Sequence, residues 1–339
     1  MQLDADELIR INNLKVTFQL DEGIVRALDG VNMSIKKGKV VGVVGESGCG
    51  KSITARSIIH IIPPPGKIDE GEILLRTKIG APNGGEHVID LAKIDPESEL
   101  IRQIRWGEIS MIFQEPMTSF SAYHSLGDQI SEAALVHREI TKNEARNLTI
   151  QMLDRVGIPN AATRVNQFPH EFSGGMRQRA MIAMALICNP SLLIADEPTT
   201  SLDVTIQAQM LELMRNLRQD FGSSIMFITH NLGVIAQIAD EVCIMYLGKI
   251  VEHGPVGDIF HNPKHPYTVD LLHAIPKISG EAKNRLVAIE GSIPSPFEQI
   301  SGCPFHPRCS QVIQGVCETY VPVMTDFGND HETFCHLYS

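Results

Sequence analysis

The chain has 339 residues, 43% of them hydrophobic and 20% charged, with a formal net charge of −11. That is enough chain to bury a full core and more than one structural unit, and the composition is that of a soluble globular protein. The negative balance argues against broad attraction to nucleic acid or anionic lipid, and nucleic acid is not expected among its partners. The longest apolar runs, such as Met181 to Cys188, are too short to span a bilayer. The acidic start MQLDADELIR lacks the basic-then-apolar pattern of a signal peptide, so the chain is expected in the cytosol.

In chain order, residues 8–36 alternate as strands on either side of an acidic turn. The next run, KVVGVVGESGCGKSITARSIIHII, reads as an apolar strand, a Gly-rich turn and a helix. Pro63, Pro64 and Pro65 are expected to end that helix. Strand character returns over 71–91 around an insertion at Ala81 to Gly85, and helical periodicity dominates from about Pro96 to Cys188. Strands resume at SLLIAD, SSIMFITH and EVCIMYLGKIVEHG, with helices after Asp203 and near Gly233. Alternating strands and helices predict an α/β fold with a largely parallel sheet and ligands at strand ends. Beyond about His261 the chain turns rich in Pro, His and Cys, which predicts a small appended domain.

Gly45-Glu-Ser-Gly48-Cys-Gly50-Lys51-Ser52 fits the phosphate-binding pattern GxxxxGK[ST] between a strand and a helix. Its bland alternative is a Gly-rich turn with no ligand. Glycines let successive N–H groups from Ser47, Gly48, Cys49, Gly50, Lys51, Ser52 and Ile53 converge on phosphate oxygens, with the helix N-terminus adding partial positive charge. Lys51 would reach the β- and γ-phosphates of ATP, and Ser52 would hold Mg²⁺. Cys49 reads as a tolerated small residue, not a reactive thiol.

A second apolar strand ends in Asp196 and Glu197. Carboxylates at the end of a parallel strand suit a metal-bound phosphate site, so Asp196 is expected to orient the Mg²⁺ shell and Glu197 to polarise the attacking water. Such a pair can equally be a plain turn. His230 closes the next strand, where it either contacts the γ-phosphate or serves structure alone. Gln114, after the strand Ser110-Met-Ile-Phe, carries little information by itself.

Phe172-Ser173-Gly174-Gly175-Met176-Arg177-Gln178-Arg179 resembles the signature motif of ABC ATPases, commonly LSGGQ. A matching Q-loop (Gln114), Walker B strand (Leu192 to Asp196 with Glu197), D-loop (Ser201-Leu202-Asp203) and H-loop (His230) stand in the family's order. The resemblance implies a RecA-like P-loop core with an N-terminal antiparallel β subdomain and a helical subdomain at about 115–185. It also implies a head-to-tail pair of ATPase subunits, either two copies or two paralogues. In that pair Ser173, Gly174 and Gly175 of one subunit clasp the γ-phosphate held by the other, and Asp203 couples the two sites. Gln114 would join the Mg²⁺ shell and the catalytic set with Glu197 and His230. Phe18 falls where the family stacks an aromatic on adenine; it can equally be a core residue of an edge strand.

Residues 263–276, PKHPYTVDLLHAIP, and the tail segment Gly302-Cys303-Pro304-Phe305-His306-Pro307-Arg308-Cys309 resemble dipeptide and oligopeptide importer ATPases. The resemblance implies a nucleotide-binding domain over 1–260 and a Cys-rich domain over 261–339. It further implies attachment to the inner face of the membrane through transmembrane permease subunits, supplied indirectly by an extracytoplasmic solute-binding protein. Three departures touch the motifs: Phe120-Ser121-Ala122 replaces the usual Leu-Asn-Pro after the Q-loop, Met176 replaces the usual Gln of the signature, and Asn231 replaces the usual Asp after His230.

The tail's Cys303-x5-Cys309-x7-Cys317-x17-Cys335 offers four soft ligands in a segment poor in core residues. Four thiolates suit zinc or a [4Fe–4S] cluster, while disulfides conflict with the compartment. The resemblance favours the cluster. Rival readings are an importer ATPase for oligosaccharides or metal chelates, a non-transport ABC ATPase of DNA repair or translation, and an iron–sulfur redox sensor that binds ATP.

Overall fold

The computed structural model describes residues 3–81, 84–114, 119–200, 203–275 and 289–339. In chain order come β1 (Glu7–Leu20), β2 (Gly23–Lys36), β3 (Val40–Val44), α1 (Lys51–Ile58), β4 (Gly66–Thr77), β5 (His87–Asp90), α2 (Glu99–Gly107) and β6 (Ile109–Ile112). There follow α3 (Leu126–His137), α4 (Lys142–Arg155), α5 (Ala161–Arg164), α6 (Gly174–Leu186), β7 (Leu192–Asp196), α7 (Val204–Phe221), β8 (Ser224–Thr229), α8 (Leu232–Ile238) and β9 (Glu241–Tyr246). Then come β10 (Lys249–Pro255), α9 (Val256–His261), α10 (Pro266–His273), β11 (Met324–Asp326) and β12 (Glu332–Phe334). No described helix is long and apolar enough to cross a membrane. Of the sequence motifs, Glu115–Thr118 after Gln114, Ser201 and Leu202, Pro82 and Asn83 of the insertion, and Pro276 lie outside the described residues.

The chain divides into two compact units, each assembled from separate stretches of sequence. The first comprises Met1–Ile9, Ile35–Lys39 and Leu74–Ile228. Here β6, β7 and β8 run parallel, with Ile112 level with Ala195 and Ala195 level with Phe227. All three strands are buried along their whole length, which is why they read as continuous apolar runs instead of alternating ones. The helical part is delimited by local chemistry. Ser125 caps α3 through the Asp128 N–H, and Thr141 with Glu144 forms a reciprocal capping box on α4.

The second unit comprises Arg10–Ser34, Val40–Ile73 and Thr229–Ser339. In it β3 pairs parallel with β9, and β9 turns back on β10 through Leu247 and Gly248, both left-handed as a tight hairpin turn requires. The Cys-rich segment is tied into this sheet: β12 pairs with β10, placing Thr333 opposite Glu252, and β11 pairs with β12. The expected stop of α1 needs correction. The helix ends at Ile58, and His60 has already turned left-handed (φ 51°), so the prolines that follow are not what halts it. β4 starts at Gly66, earlier than the strand expected over 71–91.

Candidate functional site

The phosphate-loop residues lie in the second unit, at the C-terminal end of β3. Gly45 is forced by close approach: a Cβ there would sit 2.1 Å from the Met245 carbonyl oxygen and 2.7 Å from Cys49 Sγ. Gly50, the residue that opens α1, has φ +105°, and a Cβ on it would lie 2.6 Å from the Ala27 carbonyl oxygen. Lys51 is buried and its ammonium donates to the carbonyls of Gly45 (2.7 Å) and Glu46 (2.9 Å), so the loop is already curled around its cation. Ser47 and Gly48 are exposed at the tip, while Ser52 and Ile53 are half-buried in the first turn of α1. Burial pushes the Cys49 thiol up from its ordinary value despite nearby Lys51, which is the chemistry of an inert packing residue. Phe18 is half-buried on β1, where it packs so close to Gly66 that a Cβ there would meet the ring at 2.5 Å.

In the first unit, the parallel register brings the ends of β6 and β7 side by side and with them Gln114, Asp196 and Glu197. Asp196 is buried as the last residue of β7. Glu197 is held left-handed (φ 48°), its N–H donating to the Ile228 carbonyl of β8 at 2.9 Å. A non-glycine residue in that region costs about 1–3 kcal/mol, a strain that typically accompanies functional sites. The Glu197 carboxylate accepts from Gln114 Nε2 at 3.3 Å and from Thr200 Oγ1 at 2.9 Å. The two residues that the Q-loop and Walker B expectations name separately are therefore in contact. His230 follows the last residue of β8 and is exposed.

The signature residues open α6. Ser173 is the N-cap, its hydroxyl accepting from the Met176 N–H at 3.4 Å, and both Ser173 and Gly174 are exposed. A Cβ added to Gly174 meets nothing within 4 Å, and one on Gly175 comes only to 3.5 Å from Ile206, so open space faces this helix end. An uncrowded helix N-terminus is suited to an anion. Asp203 caps α7, accepting from the Thr205 and Ile206 N–H groups at 3.0 Å each. Asn231 caps α8 through the Gly233 N–H at 2.9 Å, a task that asparagine performs as well as aspartate.

Cys303, Cys309, Cys317 and Cys335 are all free thiols. Burial pushes Cys303 up to about 11 and raises Cys309 and Cys335 as well, and Cys303 feels the charge of each of the other three. The four thus share one neighbourhood, and the Cys303 N–H donates to the Cys317 carbonyl at 2.8 Å. Among the described residues, however, no three His, Cys, Asp or Glu side chains are grouped to hold a metal ion, and this bears equally on zinc and on a cluster. His306 Nδ1 donates to the Cys303 carbonyl, His336 Nε2 donates to the Tyr320 carbonyl, and His331 pairs with Glu252 at 2.9 Å.

Sequence reasoning passed over Glu46, Glu252, Tyr267 and Arg308. Tyr267 and Arg308 sit inside quoted motifs, but their partner Glu46 lies 221 and 262 positions away, a distance no local pattern reports.

The ABC transporter family matches residues 28–200, and the family described as oligopeptide/dipeptide transporter, C-terminal region, matches residues 251–317. The dipeptide transport ATP-binding protein DppD of Bacillus subtilis is 44% identical over 333 residues, covering 98% of this chain and 95% of its own. The oligopeptide transport ATP-binding protein AppD of the same organism is 46% identical over 332 residues, covering 98% and 97%. Among solved structures, the ATP-binding cassette MJ0796, in a dimeric post-hydrolysis state bound to ADP and Pi, superposes with a TM-score of 0.62. It is 24% identical, covers 74% of this chain and 99% of its own, and shares the fold: a cassette of mixed α/β sheets with a helical part. With a curled phosphate loop, a strained strand-end glutamate and an open signature helix already in place, the chain belongs to the ABC transporter ATP-binding family, in its oligopeptide and dipeptide transporter branch, and is an ATPase.

Proposed function

We propose that this chain powers the uptake of dipeptides or oligopeptides, working at the inner face of the membrane as one of two ATPase subunits docked on a permease. The observation that carries the reading is the joining, in one chain, of a complete ATPase motif set to the C-terminal region of peptide transporters, with 44% and 46% identity to dipeptide and oligopeptide transport proteins. Residues 1–260 would serve as the nucleotide-binding domain and 261–339 as a Cys-rich tail.

In this reading the N–H groups from Ser47 to Ile53 cradle the phosphates, and Lys51 turns from its two carbonyl partners to the β- and γ-oxygens. Glu197 takes a proton from the attacking water, and its contact with Gln114 supports a shared role in fixing that water. His230 holds the γ-phosphate from the neighbouring strand end, and Phe18 offers its ring to adenine. Ser173, Gly174 and Gly175 close over the nucleotide of the partner subunit, and Asp203 couples the two sites. Ser52, Gln114 and Asp196 would hold Mg²⁺ through their side-chain oxygens, and the ion would supply positive charge beside the phosphates.

The four thiols would hold a [4Fe–4S] cluster: the donor set is four soft thiols, and Cys303 feels the charge of the other three. Such a cluster would supply the staple that this core-poor segment lacks. The function is tested with the assembled transporter in liposomes. Peptide with its binding protein should stimulate phosphate release, and Lys51→Ala should abolish both release and uptake. Stimulation by a sugar or a metal chelate and not by peptides would refute the substrate class.

A further inference from the structure

Glu46, the first residue of the phosphate loop after Gly45, is gripped at its N–H and its carboxylate by parts of the chain that make no phosphate contact in the reading above. Its N–H donates to the Tyr267 hydroxyl at 3.0 Å. Its carboxylate accepts a two-pronged bond from Arg308, Nη1 to Oε2 at 2.7 Å and Nη2 to Oε1 at 3.1 Å. Its carbonyl accepts from Lys51. All of these residues belong to the second unit.

The grip is itself braced. Arg308 Nε donates to the Glu290 carbonyl at 3.0 Å, and the Arg308 side chain is only 4% exposed. A guanidinium stays protonated throughout the range in which proteins fold, so Arg308 is a permanent cation. Tyr246, Tyr267 and Phe305 pack with ring centroids 4.7 to 5.3 Å apart, which gives the tyrosine hydroxyl a rigid mount. A forked guanidinium–carboxylate pair fixes orientation as well as position, and lysine does not reproduce it.

We propose that Tyr267 and Arg308 are positioning residues for the phosphate loop, through which the C-terminal region sets nucleotide affinity. Two effects act together. The fork and the hydroxyl hold the entry of the loop, so its remaining N–H groups are arranged before the phosphates arrive. Arg308 also neutralises Glu46, a carboxylate that would otherwise stand beside a triphosphate of the same sign. The Arg308 neighbour in sequence is Cys309, so the folding of the four-thiol segment and the shape of the phosphate loop are mechanically continuous.

The proposal rests on the assignment of ATP to this loop. It is tested by titrating the purified full-length protein with a fluorescent ATP analogue, alongside Mg²⁺, while its melting temperature is recorded. Arg308→Met should weaken binding about tenfold, the scale of one charge-assisted hydrogen bond. Tyr267→Phe, which keeps the ring and its packing, should weaken it by roughly threefold. Adding Glu46→Gln to Arg308→Met should recover part of the loss, because the uncompensated charge is gone; a merely structural arginine would show no such rescue. Affinity within twofold of wild type in both single variants, or a double variant as weak as Arg308→Met, overturns the positioning role. Absence of binding by the wild-type protein, or its persistence in Lys51→Ala, would unseat the nucleotide assignment instead.

Discussion

Replacing Glu252 by alanine removes an acceptor on which a whole segment hangs. Glu252 lies on β10 and is fully buried. Its carboxylate accepts from the backbone N–H groups of Lys264 (2.7 Å) and His265 (2.9 Å) and pairs with His331 Nε2 at 2.9 Å. Alanine leaves these groups without their acceptor in a site that solvent does not reach. Each abandoned buried donor costs about 1–3 kcal/mol, so a loss of roughly 3–5 kcal/mol is expected. A domain of this size melts roughly 2–4 °C lower per kcal/mol, which puts the shift at no less than about 6 °C. Thermal denaturation of the full chain reads it directly. Because the freed segment carries His265, the cap of α10, and α10 carries Tyr267, limited proteolysis should open first near residues 262–266. A melting shift below about 2 °C, or proteolysis that begins elsewhere, would refute the view that Glu252 anchors the peptide-transporter region to the sheet.

Three other outcomes follow from the site. Glu197→Gln should keep ATP binding but cut hydrolysis by about 10²–10⁴-fold, the usual worth of a general base, and should accumulate an ATP-bound dimer in size-exclusion chromatography; turnover within tenfold of wild type would remove Glu197 from that role. Burial lowers His265 to about 3, so the folded protein keeps it neutral while the unfolded chain protonates it near its ordinary 6.5. Its contribution to stability is complete above that pH and is lost progressively as the pH falls toward 3, about 1.4 kcal/mol by pH 5.5. His265→Asn keeps a capping side chain and cannot titrate, so its melting temperature should fall less between pH 7.5 and 5.5 than that of the wild type; equal falls would refute the assignment. Anaerobically purified protein should show broad visible absorption that Cys303→Ser diminishes, whereas a colourless protein containing zinc would displace the [4Fe–4S] reading.

Much of the candidate nucleotide site is legible in the chain because the chemistry it calls for is local. A phosphate cradle needs glycines and a lysine within one turn, a strand-end carboxylate needs only the strand before it, and a helix cap needs its own first residues. Gly45 to Ser52, Asp196 with Glu197, and Ser173 to Gly175 all satisfy these demands in contiguous sequence. The parallel strands were legible for the same reason, since burial on both faces removes alternation. The end of α1 was misread because the prolines were a stronger signal on paper than the left-handed turn at His60 that precedes them.

What tertiary structure decided is which distant residues meet. The contact of Gln114 with Glu197 follows from β6 lying beside β7, and the pairing of the three-residue β12 with β10 is invisible in so short a strand. Glu46 looks like filler between two glycines until the sheet brings Tyr267 and Arg308 around it. Sequence by itself determined that this chain binds a nucleotide triphosphate and belongs beside other ABC ATPases, because backbone amides and side chains a few residues apart perform that chemistry. The grip of the C-terminal region on the phosphate loop exists only where long-range packing closes, and it takes the whole fold to show it.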